Sequence, residues 1–162
     1  FELVHHNARF IRHFALSMVA CWLLVVGIKN VVRRPRPFNN PVMLSKLFAS
    51  RLQSNRPTDY SFPSGHAALA FCGATVIALH LILNTKRKTV NKNKPLHTSP
   101  NRGGMGGVIN RNLLAVACYL GAATIAFSRI YLGVHYVGDV VVGAGIGYFV
   151  ARIFNYQHPI FN

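Results

Sequence analysis

Four apolar runs of near-bilayer length decide what this chain can fold into. Residues 13–28 (HFALSMVACWLLVVGI) carry no Lys, Arg, Asp or Glu, and the run extends to Val32 when Lys29 snorkels to the interface. Residues 66–85 and 112–128 are equally free of formal charge up to their ends, and residues 130–151 are broken only by Asp139. A helix needs about 20 mostly apolar residues to cross a bilayer, and tilt absorbs a slightly short one. The fourth run holds Gly143, Gly145 and Gly147 around Ala144. Small residues let helices approach closely in lipid, whereas each glycine in a soluble helix costs about 1 kcal/mol relative to alanine. The expected fold is all-α: a polytopic membrane helical bundle, one domain over residues 1–162.

Charge narrows the class further. Eighteen Lys and Arg face three acids, Glu2, Asp59 and Asp139, while charged residues make up only 13% of the chain. Chains this basic bind nucleic acid or sit in anionic membranes. A nucleic-acid module has no use for long uncharged apolar runs, and here the charge is not interleaved with base-stacking aromatics on a soluble fold. Membrane lipids are therefore the expected surroundings, with no nucleic acid. Cys21, Cys72 and Cys118 all lie in apolar runs, and their odd number argues for packing thiols over a disulfide framework.

Two polar connections join the runs. Residues 33–63, rich in Pro and Asn, read as a loop with a short amphipathic helix over 42–53. Residues 86–111 hold seven Lys and Arg, four glycines and no acid, and read as a loop. Threading the helices up and down gathers the end of the first, the start of the second, the end of the third and the start of the fourth on one membrane face.

That face collects the residues with chemical potential. Lys29 and Arg36-Pro37 stand at the end of the first run, Pro63-Ser64-Gly65-His66 at the start of the second, and Ser128-Arg129 with His135 and Asp139 at the third junction. Lys29, Arg36 and Arg129 read as unpaired cations converging on an anion, and guanidinium forks match phosphate oxygens. Ser64 and Gly65 open a helix, whose free N–H groups and dipole favour negative charge. His66 is placed to give a proton to a leaving oxygen. His135 and Asp139, at i and i+4, share a helix face one turn apart, where a carboxylate fixes the imidazole tautomer and makes its other nitrogen nucleophilic.

The three clusters, Lys-x6-Arg-Pro, Pro-Ser-Gly-His and Ser-Arg-x5-His-x3-Asp, resemble the signature of the type 2 phosphatidic acid phosphatase (PAP2) superfamily, in order and at the family spacing over residues 29–139. The resemblance implies a membrane lipid phosphatase. His135 would attack phosphorus to form a phosphohistidine, Asp139 would orient it, and His66 would protonate the leaving oxygen and then activate water. Lys29, Arg36, Ser64, Gly65 and Arg129 would hold the phosphoryl oxygens. No metal and no cofactor is implied, and acids are too few for an oxygen-ligand cage. The implied partner is a phosphorylated lipid: a polyprenyl pyrophosphate such as undecaprenyl pyrophosphate, a lipid A phosphate, phosphatidylglycerophosphate or phosphatidate. The family core has about six helices where hydropathy finds four, and Phe1 opens the chain in place of Met. Either N-terminal helices lie upstream or residues 1–12 belong to one.

Plainer readings compete at each position. Lys29 and Arg36 taken singly are membrane-flanking charges, and Arg33, Arg34, Lys46, Arg51 and Arg56 stay under that heading. Asp59, Tyr60 and Ser61 precede the second motif, with lining of the entrance as the minority reading, and receive no assigned role. His5, His6, His13, His80, His97 and His158 match no motif, and Trp22 reads as lipid-facing or packing. His135 and Asp139 as a mere polar pair is disfavoured, because ionisable residues within a membrane are costly and mark function. A vanadium-haloperoxidase-like enzyme would be soluble, and a non-catalytic binding protein should have lost His66, His135 or Asp139. Basic loops stay in the cytoplasm, so the expected location is the bacterial inner membrane, with the active site on the periplasmic, extracytoplasmic face.

Overall fold

The computed structural model describes residues 2–39, 58–92 and 111–157. The described residues form four long helices and one short 3-10 turn, with no strand. The helices are α1 (Glu2–Val32), α2 (Gly65–Lys92), α3 (Arg111–Tyr131) and α4 (Val137–Gln157). Each contains a stretch long and apolar enough to cross a bilayer. The all-α membrane architecture follows directly from the hydropathy.

Three boundaries differ from expectation, each for a local reason. Residues 2–12 join α1, since nothing between Glu2 and Arg12 breaks a helix, making it 31 residues and about 45 Å long. Beyond Val32, Arg33 takes a left-handed φ of 49° and Pro35 forbids continuation. Residues 86–92, expected as loop, continue α2, because Lys and Arg are good helix formers and no Gly or Pro intervenes. The remainder of the basic loop and the amphipathic helix expected over 42–53 lie outside the described residues.

The third difference sits at the expected fourth span, residues 130–151, which is divided. Ile130 and Tyr131 complete α3, Gly133 turns at φ 66°, and α4 starts only at Val137. The start of α4 is capped by its own side chain. The Asp139 carboxylate accepts the Tyr136 N–H at 3.0 Å, half of a capping box. Likewise Ser64 caps α2, its hydroxyl accepting the Ala67 N–H at 3.5 Å.

Helix α2 is central and packs against the other three. Its buried face is made of small residues, Ala67, Ala68, Cys72 and Ala74 among them. The approach to α4 is closest at two glycines. A methyl on Gly147 would overlap the Ala68 carbonyl oxygen, and one on Gly143 would sit 2.5 Å from the Ser64 carbonyl oxygen. At the same end the Ser64 N–H donates to the Asp139 carbonyl at 2.9 Å. Backbone thus meets backbone along this seam, as small residues permit in lipid. Large apolar side chains such as Leu23, Leu120, Phe127 and Phe149 point outward, which in a bilayer places them against acyl chains.

Candidate active site

Where the four helix ends meet, a cavity of about 400 Å³ opens. Lys29, Arg36, Asp59, Gly65, His66, Arg129 and His135 line its polar side, and Trp22, Val25, Val26, Leu69, Leu132 and Val134 its apolar side. Residues separated by more than a hundred positions are therefore brought around one space. Six of the eight expected site residues line it. Ser64 and Asp139 do not: both are fully buried behind the wall, Ser64 as the cap of α2 and Asp139 beneath His135.

Arg36 comes from the segment after α1 and is nearly fully buried. Its Nε donates to the Asp59 carbonyl at 2.9 Å, Nη1 to the Val134 carbonyl at 2.9 Å, and Nη2 to the Asp59 carboxylate. Lys29, on the last turn of α1, pairs with the same carboxylate and donates to the Tyr60 carbonyl at 2.7 Å. The expectation that these cations stand unpaired is corrected: Asp59 holds both. Burial raises the Asp59 carboxyl pKa, but hydrogen bonds from Lys29 and Arg36 outweigh it and hold the group below the usual carboxylate range. Arg129, on the last turn of α3, differs. Among the described residues its buried Nε has no hydrogen-bond partner, an uncommon state for a buried donor.

His135 is not a helical i,i+4 partner of Asp139, because it precedes the capped first residue of α4. Its Nδ1 lies 3.7 Å from Asp139 Oδ2, an ion-pair distance and too long for a hydrogen bond. Its Nε2 lies 3.4 Å from Arg36 Nη1. A guanidinium only donates, so the contact assigns the lone pair to Nε2 and the proton to Nδ1, on the Asp139 side. Burial, then the Arg36 and Lys29 charges, lower the His135 pKa to about 4, so the imidazole is neutral at physiological pH.

Asp139 has no exposure and gathers three donors. Arg34 Nη1 reaches Oδ1 at 2.8 Å, while the Ser61 hydroxyl and the Tyr136 N–H reach Oδ2. The Arg34 guanidinium also stacks on the Tyr136 ring at 4.1 Å. Arg34, Asp59 and Ser61 were missed from sequence. The usable signal was scarcity: with only three acids in the chain, a buried Asp139 and a cation-flanked Asp59 must each attract a base from the same face. Among the described residues, no three His, Cys, Asp or Glu side chains cluster closely enough to hold a metal ion.

The family model for the PAP2 superfamily matches residues 10–162. Lipid phosphate phosphatase delta of Arabidopsis thaliana is 29% identical over 141 residues, 87% of this chain and 29% of the relative. An undecaprenyl-diphosphatase of Sulfolobus acidocaldarius is 27% identical over 146 residues, 86% of this chain and 53% of the relative. The chain therefore spans at most about half the length of these two relatives. In fold it resembles the crystal structure of a transmembrane PAP2 type phosphatidylglycerolphosphate phosphatase from Bacillus subtilis. The TM-score is 0.59 at 23% identity, covering 92% of this chain and 60% of that one. With three motif clusters drawn to one cavity and the family match running nearly end to end, this chain belongs to the PAP2 superfamily.

Proposed function

We propose that this chain is a membrane phosphatase that hydrolyses a phosphate ester or anhydride on a lipid through His135, without a metal ion. The observation that carries the reading is the cavity: three cations against one carboxylate, a neutral buried imidazole and an exposed one, beside a wall of Trp22, Val25, Val26, Leu69 and Leu132. The polar side suits a phosphate of more than one charge, and the apolar wall suits the first segment of a lipid chain. Relatives named for lipid phosphates and for undecaprenyl diphosphate support the substrate class. Polyprenyl pyrophosphates, lipid A phosphates, phosphatidylglycerophosphate and phosphatidate are the candidates.

The chemistry runs in two displacements. The Nε2 lone pair of His135 attacks phosphorus, the bond from phosphorus to the leaving oxygen breaks, and His66 gives that oxygen its proton. Asp139 stabilises the charge the ring acquires, its carboxylate held in place by Arg34, Ser61 and the Tyr136 N–H. Water then attacks the phosphohistidine with its proton passing to His66, which frees phosphate and restores both side chains. Lys29, Arg36, Arg129 and the N-terminal end of α2 at Gly65 stabilise the phosphoryl oxygens; Ser64 serves by capping that end. Because the three cations supply the positive charge, no step is routed through a metal ion.

Phosphate release from a panel of lipid phosphates in detergent, with excess chelator, tests this reading. The parent chain should release phosphate and His135→Ala should lose about 10⁴-fold or more. Release untouched by the substitution would remove His135 from the mechanism, and none from any lipid would favour a binding protein with an enzyme's motifs. The cavity is proposed to open away from the cytoplasm, since the basic end of α2 lies at the opposite end of the bundle. Protection of a Lys92→Cys variant from an external thiol reagent is expected, and labelling would reverse the orientation.

A further inference from the structure

Asp59 lines the cavity yet takes no part in the two displacements, and its carboxylate sits among the cations where a substrate phosphate should. Its carboxylate occupies both Lys29 and Arg36. A carboxylate offers a guanidinium the same two-oxygen edge that a phosphoryl group does. Building on the phosphatase reading, we infer that Asp59 is an internal occupant of the phosphate cradle that acts as a charge filter. It yields Lys29 and Arg36 to a terminal phosphate dianion and withholds them from the singly charged phosphodiesters of ordinary membrane lipids.

The two sides of the pair are unequal. The Arg36 side chain is 5% exposed and tied to two backbone carbonyls, whereas the Asp59 side chain is 53% exposed. The cation is fixed, and of Asp59 only the exposed carboxylate is free to leave, since its backbone carbonyl is one of the two that hold Arg36. Exchange must also be worthwhile for the incoming group. A phosphodiester brings one negative charge, as the carboxylate does, and gains nothing electrostatically by replacing it. A terminal phosphate brings up to two charges and three unsubstituted oxygens. Its third oxygen can meet Arg129, the third cation lining the cavity, which forms no ion pair with Asp59. Arg129 is therefore the cation that tips the exchange.

Displacement also bears on the nucleophile. In the resting site Arg36 Nη1 lies 3.4 Å from His135 Nε2, against the lone pair that must attack phosphorus. A phosphoryl group that takes the place of the Asp59 carboxylate on Arg36 Nη2 lies beside that lone pair without the guanidinium moving. The filter is thus joined to the reaction: the anion that wins the cradle is the one brought to His135. Asp59 is a specificity-determining residue in this scheme and makes no bond to the reacting phosphorus.

Two variants, Asp59→Asn and Asp59→Ser, test the inference, each purified in detergent and first matched to the parent in thermal melting. Calorimetric titration with inorganic phosphate should show binding about tenfold tighter in both variants, the equivalent of about 1.4 kcal/mol. In mixed micelles, a short-chain phosphatidylglycerol should inhibit phosphate release from a lipid phosphomonoester competitively in the variants and hardly at all in the parent. Folded variants that bind phosphate equally or more weakly than the parent, or that still ignore phosphatidylglycerol, overturn the filter and leave the phosphatase reading standing. A parent that neither binds phosphate nor releases it from any lipid overturns both.

Discussion

Helix α4 has two faces that work in opposite ways. Along α2 it presents Gly143 and Gly147, and contact is made by backbone with no side chain between. At its first turn it presents Asp139, buried and surrounded by Arg34, Ser61 and the Tyr136 N–H. The seam is held by close packing and the corner by charge, and they are coupled. The Ser64 carbonyl that Gly143 approaches belongs to the residue whose N–H bonds Asp139. The lesson is that the spacing between the His66 motif and the His135 motif is set by how near two backbones can come.

The seam fails most severely at Gly147→Leu. A branched side chain there meets the Ala68 carbonyl and the Cys72 N–H, backbone atoms that cannot swing aside. Overpacking costs about 1–3 kcal/mol where side chains can adjust, so the expected outcome is a large fall in melting temperature with activity lost. A variant keeping both would show that the seam does not set the site. Arg34→Ala probes the corner alone. Asp139 keeps its Ser61 and Tyr136 donors but loses its cation. Although the Arg34 side chain is 41% exposed, Asp139 is fully buried, so the stability cost should be about 3 kcal/mol, the low end for a buried pair that loses one partner. Phosphate release should fall about 10²-fold, with Arg34→Lys restoring part of it. Unchanged turnover would detach Asp139's cation from the chemistry.

The smallest effect expected is in the pH profile. Burial and the neighbouring cations disfavour the His135 imidazolium, so the attacking neutral form persists as pH falls until about 4. Acid loss of kcat/KM assigned to His135, read as the limb whose position moves in Arg36→Gln, should therefore lie near 4 in the parent and higher in the variant. A His135 limb at the ordinary 6.5 would show the ring to be wetter and less cation-crowded than its corner implies.

Much of this was legible from residues alone, and the failures share a cause. The four spans were readable because lipid demands an uninterrupted apolar run whatever its neighbours are. The shared face of Lys29, His66, Arg129 and His135 followed from threading those spans. Boundaries at residues 86–92 and 132–136 were misplaced. Lysine and arginine serve helix and loop equally well, and the break before α4 depends on Gly133 and on a carboxylate that caps as it orients. Asp59 and Arg34 were overlooked because a flanking charge and a site charge are the same residue until its partner is known.

The sequence by itself determined the membrane bundle, the family and the end of the bundle where chemistry gathers, since hydropathy and motif order are properties of the chain read in line. Only the tertiary structure decided who pairs with whom: Asp59 with Lys29 and Arg36, and Arg34 and Ser61 with Asp139, while Arg129 Nε has no partner among the described residues. Pairing between charges depends on distance and burial, and both arise only when helices far apart in the chain close on one another.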